Sequence, residues 1–126
     1  MNIKQVSELK DISADTLRYY ERIGLIPPVN RTPGGIRDYN EEDLRWVDFT
    51  KCMRNAGVSI EGLIEYIRLY QLGDSTVLAR RDLLQEEKNS LEVKLLDIQT
   101  TLQRMNDKIA FYENSLKPDS VKEEEK

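Results

Sequence analysis

Four arginines, Arg18, Arg22, Arg31 and Arg37, fall between Thr16 and Arg37 against a single acid, Glu21, giving this stretch a local charge of +3 (four minus one). Guanidinium groups at such density suit phosphate and base edges, because each planar fork can donate two parallel hydrogen bonds to a phosphate or to guanine. Arg18 and Arg22 are four apart and share a face if the segment is helical. Tyr19 supplies a hydroxyl donor and a flat ring, and Thr16 a short hydroxyl near the helix start. Such hydroxyls commonly bond to phosphate. Any one of these arginines could sit on an ordinary solvated face, but four of them on a helix-turn-helix and the hairpin after it point to nucleic acid.

The other residue with reactive potential is Cys52, the only cysteine in a chain without histidine. One cysteine makes no internal disulfide and fits a reducing, cytoplasmic setting. Positions 45, 49, 52 and 56 line one helix face on which Phe49 and Ala56 are apolar, so the local sequence makes Cys52 a small buried hydrophobe. A reactive thiol needs a lowered pKa and access. Lys51 and Arg54 lie at helical offsets that do not face the thiol, and Asp48 at offset four disfavours the thiolate. Activation would need a cation from elsewhere, such as Arg68 or a residue of a partner chain. Without histidine there is no ready general base, so the sequence points away from an enzyme. No cofactor motif or metal-ligand cluster is present, and "PGG" is too short for a phosphate loop.

The elements that position these residues are legible in outline. Ile3, Val6, Leu9 and Ile12 have helical spacing, and Asp11 marks a turn. Ser13 is the N-cap of a second helix through "ADTLRYYERIG", with Leu17, Tyr20 and Ile23 inward and Gly24 as its terminator. In "LIPPVNRTPGGIRDYN" the prolines forbid a helix, while "VNR" and "IRDY" flank a "TPGG" tip, which predicts a hairpin, or wing. Asn40 caps a third helix that opens with Glu41, Glu42 and Asp43 and runs to Ala56 before Gly57. Ser59 caps a fourth, "IEGLIEYIRLYQL", closed by Gly73.

From Val77 onward, steps of four and three alternate through Arg81, Leu84, Lys88, Leu91, Leu95, Ile98, Leu102, Met105, Ile109, Tyr112 and Leu116, a heptad seam. As one helix it spans about 60 Å at ~1.5 Å per residue, too long to bury its stripe within so small a chain. The spacing therefore predicts a homodimer. Arg81 and Lys88 would face their own copies in a parallel pair, which favours an antiparallel one. The fold class expected is mainly α: a winged helix-turn-helix domain with linking helices over residues 1–73, a coiled-coil dimerisation helix over 74–116, and a disordered charged tail over 117–126.

Bulk composition agrees. The 126 residues are 39% apolar and 33% charged with a net charge of −4, less apolar and more charged than an average globular domain. From Gly73 on there are nine basic and twelve acidic residues, a local −3, so the basic stretch is a patch on an acidic chain. No apolar run approaches the roughly 20 residues of a membrane span, and the N-terminus lacks the apolar core of a signal peptide.

The stretch "TLRYYERIGLIPP" at 16–28, followed by the pattern R-x-x-x-G-x-R-x-Y from Arg31 to Tyr39, resembles the MerR family of bacterial transcription regulators over residues 1 to about 116. The resemblance implies DNA contacts from Arg18, Tyr19 and Tyr20 on the recognition helix and from Arg31, Gly35 and Arg37 on the wing. Arg54 matches a position that often touches phosphate, and Tyr39 closes the wing motif. One departure is Ile36, where the wing often carries an aromatic. The family implies an antiparallel dimer on a pseudo-palindromic promoter, activating RNA polymerase by distorting an over-long spacer. The lone Cys52 in a short chain resembles the NmlR/AdhR-like subgroup, linked to aldehydes and other thiol-reactive electrophiles. An alternative keeps the same DNA binder with a structural Cys52, controlled by a partner protein or by abundance.

Overall fold

The computed structural model describes residues 1–118. The described residues form five α-helices: α1 (Ile3–Lys10), α2 (Ala14–Ile23), α3 (Glu41–Asn55), α4 (Ile60–Gln71) and α5 (Val77–Ser115), with a 3-10 turn at Asp74–Thr76 before α5. The compact units are Met1–Leu91 and the chain from Glu92 on. The first turns of α5 fall within the first of these units. The tail expected over 117–126 lies, from residue 119 on, outside the described residues.

Side-chain chemistry sets each helix start. Asn2 and Gln5 form a reciprocal capping box on α1, Ser13 accepts from Thr16 N on α2, and Asn40 with Asp43 boxes α3. Ser59 accepts from Gly62 N on α4. Each satisfies amide donors that the first turn leaves unpaired. Asp11 ends α1 in the left-handed region (φ 52), and Gly24 ends α2 there (φ 85).

Val6, Ile12, Leu17, Tyr20, Leu25, Ile26, Val29, Tyr39, Val47, Val58 and Leu63 form one buried cluster. α3 contributes the stripe Asp43, Val47, Thr50. Its two polar members are partnered: Thr50 Oγ1 donates to Leu25 O at 2.6 Å, and Asp43 Oδ2 accepts from Asn40 N at 3.0 Å and Asn30 Nδ2 at 3.3 Å. Leu9 is 57% exposed, and of α1 only Val6 is buried.

The hairpin is thinner than expected. A single antiparallel bridge joins Arg31 and Arg37, and no longer strand forms among the described residues. Thr32 N donates to Ile36 O at 2.8 Å, Gly35 N to Thr32 O at 2.8 Å and Asp38 N to Asn30 O at 2.7 Å. Gly35 closes the tip at φ 85.

α5 buries none of its residues. In its first turns, Leu83, Leu84 and Leu91 line an apolar cavity of about 290 Å³ with Met53, Val58, Leu63 and Tyr66. Beyond Glu92, the seam residues Leu95, Ile98, Leu102, Met105, Ile109 and Tyr112 are all 45–59% exposed.

Candidate nucleic-acid interface

The exposed face of α2 carries Arg18, Tyr19 and Arg22. The Arg22 guanidinium lies over the Tyr19 ring, 5.5 Å from its centroid, a cation–π contact that orders both groups. Arg18 Nη1 donates to Asp15 Oδ1 at 2.9 Å, with side chains 47% and 95% exposed. A pair so open to water holds its arginine weakly. Thr16 stands at the cap, where its Oγ1 accepts from Ser13 Oγ at 2.8 Å.

Wing and recognition helix meet at Glu21, whose side chain is 12% exposed. Its Oε1 accepts from Arg37 Nε at 2.7 Å and lies 3.8 Å from Arg31 Nη2, while Oε2 accepts from Val29 N at 2.8 Å. Burial alone would raise the carboxyl pKa. The hydrogen bonds from Arg37 and Val29, with the charges of Arg37 and Arg31, outweigh it and hold the group below the ordinary glutamate value. Arg31 Nη1 also donates to Gly35 O at 3.0 Å, bracing the tip. Glu21 was the residue that sequence reasoning passed over; the available signal was its position as the one acid in a basic stretch.

Two tyrosines of the family motif face the interior, Tyr20 as its helical spacing predicts. Tyr20 is 8% exposed and Tyr39 2%, because both rings belong to the hydrophobic cluster. Burial raises both hydroxyl pKa values, against the lowering effect of Arg54 on Tyr20 and of Arg37 on Tyr39. Tyr39 Oη has no hydrogen-bond partner. Arg54 is half-buried, its Nη1 donating to Val58 O.

Cys52 departs from its sequence expectation: it is exposed. The buried stripe of α3 is Asp43, Val47 and Thr50, with Trp46, Phe49 and Met53 packed beside it, and at ~100° per residue this puts position 52 on the outer side. Asp48, expected to disfavour the thiolate, is held by Lys10 Nζ at 3.0 Å. Arg68, considered as an activating cation, is forked onto Glu65 of its own helix at 2.6 and 2.9 Å.

A second feature not read from sequence is an aromatic group on α3 and α4. Trp46 packs edge-on to Phe49 (5.8 Å) and Tyr70 (4.8 Å), and Phe49 stacks on Tyr66 at 5.5 Å. The i,i+3 pair in α3 and the i,i+4 pair in α4 were its available signal.

Among the described residues no cluster of histidine, cysteine, aspartate or glutamate could hold a metal ion, and no helix is long and apolar enough to cross a membrane. Comparison with known proteins places this geometry. Residues 1–69 match the MerR HTH family regulatory protein model. The chain is 59% identical over 91 residues to the HTH-type transcriptional regulator AdhR of Bacillus subtilis, covering 72% of this chain and 65% of that protein. The match thus spans just under two thirds of that relative. Among solved structures, a MerR family transcriptional regulator from Listeria monocytogenes superposes with a TM-score of 0.88 at 48% identity, covering 90% of this chain and 86% of the other. HiNmlR, a MerR family regulator lacking the sensor domain and bound to promoter DNA, superposes with a TM-score of 0.82 at 28% identity, covering 94% of each chain. The relatives are transcriptional regulators and not enzymes. From the family match, and with AdhR and NmlR among its near relatives, the chain belongs to the MerR family of helix-turn-helix regulatory proteins.

Proposed function

We propose that this chain binds a pseudo-palindromic promoter as a homodimer, and that modification of Cys52 by an aldehyde or similar electrophile switches its output. The observation that carries the DNA reading is the pairing of the wing cations Arg31 and Arg37 with Glu21, which ties the wing to the helix that also carries Arg18, Tyr19 and Arg22. Thr16, Arg18, Tyr19 and Arg22 supply the helix contacts, and Arg31, Gly35 and Arg37 the wing contacts. Tyr20 and Tyr39 support them from beneath, and Arg54 holds the turn before α4. The exposed seam Leu95, Ile98, Leu102, Met105, Ile109 and Tyr112, continued back to Leu84 and Leu91, pairs two copies antiparallel. Bending and untwisting an over-long promoter spacer would realign its two elements for RNA polymerase, a deformation offset by the phosphate contacts. The regulator works in the cytoplasm.

The exposed position of Cys52 favours sensing over packing, since an electrophile can reach the sulfur. With an aldehyde, sulfur bonds to the carbonyl carbon and the carbonyl oxygen takes the thiol proton, giving a hemithioacetal. The test is transcription in a purified system from the protein's own promoter, with and without a small aldehyde, comparing wild type with Cys52→Ser. A response lost only in the serine variant supports the sensor. Equal responses in both assign control to a partner protein or to abundance.

A further inference from the structure

Glu21 makes none of the DNA contacts proposed for α2 and the wing, yet it holds Arg37, Arg31 and Val29 N at once. It is nearly buried at 12% exposed, while the arginines it holds remain open at 24% (Arg37) and 45% (Arg31). Arg37 meets it through Nε, which leaves the two terminal nitrogens of that guanidinium to donate outward. The same carboxylate anchors the chain entering the wing through Val29 N. It therefore aims the wing arginines and also cancels part of their charge.

From this arrangement we infer that Glu21 is a positioning residue that sets DNA specificity: it makes the wing cations usable only on duplexes whose backbone meets them in the aimed geometry, and suppresses binding to other DNA. Non-specific affinity comes from cations neutralising phosphates with release of counterions. A carboxylate already paired with Arg37 and close to Arg31 competes for those cations, and the competition weighs most where phosphates fit poorly. On a duplex that fits, the outward nitrogens of Arg37 reach phosphate without leaving Glu21, so little is lost. The inference rests on the DNA-binding reading above.

The experiment measures affinity for two duplexes of equal length across a salt series, one selected from a random pool by the wild-type protein and one of scrambled sequence. Glu21→Gln removes the charge and keeps one carbonyl oxygen, which can accept from Arg37 or from Val29 but not from both in their present positions. It is expected to bind the scrambled duplex more tightly, to narrow the ratio between the duplexes, and to steepen the salt dependence on the scrambled duplex by about one unit, given a slope of ~0.9 per phosphate neutralised. Glu21→Asp keeps the charge but shortens the reach. It is expected to lose affinity for the selected duplex with no steepening. In Arg37→Gln, adding Glu21→Gln should change the slope much less. The inference is overturned if Glu21→Gln weakens both duplexes by the same factor, or leaves ratio and slope unchanged, while wild type still discriminates. If wild type binds neither duplex, the DNA-binding reading fails and the inference falls with it.

Discussion

Ser59 Oγ donates to Glu87 Oε1 at 2.8 Å while accepting from Gly62 N at 3.0 Å. The N-cap of α4 is thus completed by a carboxylate from α5, and the first turns of the long helix are tied to the DNA-binding unit by a hydrogen bond as well as by apolar packing. A negative group beside a helix N-terminus is also favourable on dipole grounds.

Ser59→Ala should cost about 1 kcal/mol, the usual worth of a serine cap. Gly62→Ala is more informative. A methyl at position 62 would sit against the Glu87 carboxylate and Ser59 Oγ, both nearer than real side-chain carbons come. The ~1 kcal/mol that alanine normally gains over glycine in a helix should therefore be absent in the wild-type background. Part of it should reappear when Glu87→Ala removes the nearer of the two groups, Ser59 Oγ remaining. Thermal melts of the two single variants and the double variant check this.

Acid should weaken the wing through Glu21. Its native pKa lies below the ordinary value, mainly through Arg37 once the opposing burial is overcome. The stabilisation is therefore fully present above about pH 4.3, the value of an unperturbed glutamate. It is lost as pH falls through the lower native value. In urea melts, the stability difference between wild type and Glu21→Gln should hold constant above about pH 5 and shrink below about pH 4.3.

Tyr39→Phe should be tolerated. It deletes a buried hydroxyl without a partner, so stability should stay level or rise by up to about 1 kcal/mol. Affinity for DNA should not change, because the ring, not the hydroxyl, supports the wing. A loss of affinity at unchanged stability would return Tyr39 to the contact surface.

Ile98→Asp should separate the copies. Ile98 lies on the seam at 59% exposed, and a carboxylate there is costly only if a partner covers it. Sedimentation should show a monomer with its DNA-binding unit still folded by circular dichroism. An unchanged dimer mass would move the interface off the seam.

Much of this was legible from local chemistry. Ser13, Asn40 and Ser59 announce their helices because a cap is settled within four residues, and Gly24 ends α2 for the same reason. The basic surface was visible as a charge imbalance between residues 16 and 37. Cys52 was placed wrongly because its apolar neighbours Phe49 and Ala56 suggested the inner face. The inner face of α3 in fact includes Asp43 and Thr50, which are polar and look external until Asn30 and the Leu25 carbonyl, 13 and 25 residues away, are brought beside them. The role of Glu21 was hidden likewise, since its partner Arg37 lies 16 residues along the chain.

The wing is one bridge wide. It has no cooperative ladder, so lifting its tip breaks only a few hydrogen bonds and leaves the hydrophobic cluster untouched. Opening of the loop and melting of the domain are then separate events on separate clocks, with amide exchange at Gly35 and Ile36 far faster than at Leu17 or Val47. The exposed face of α2 therefore stays folded while the tip opens and closes.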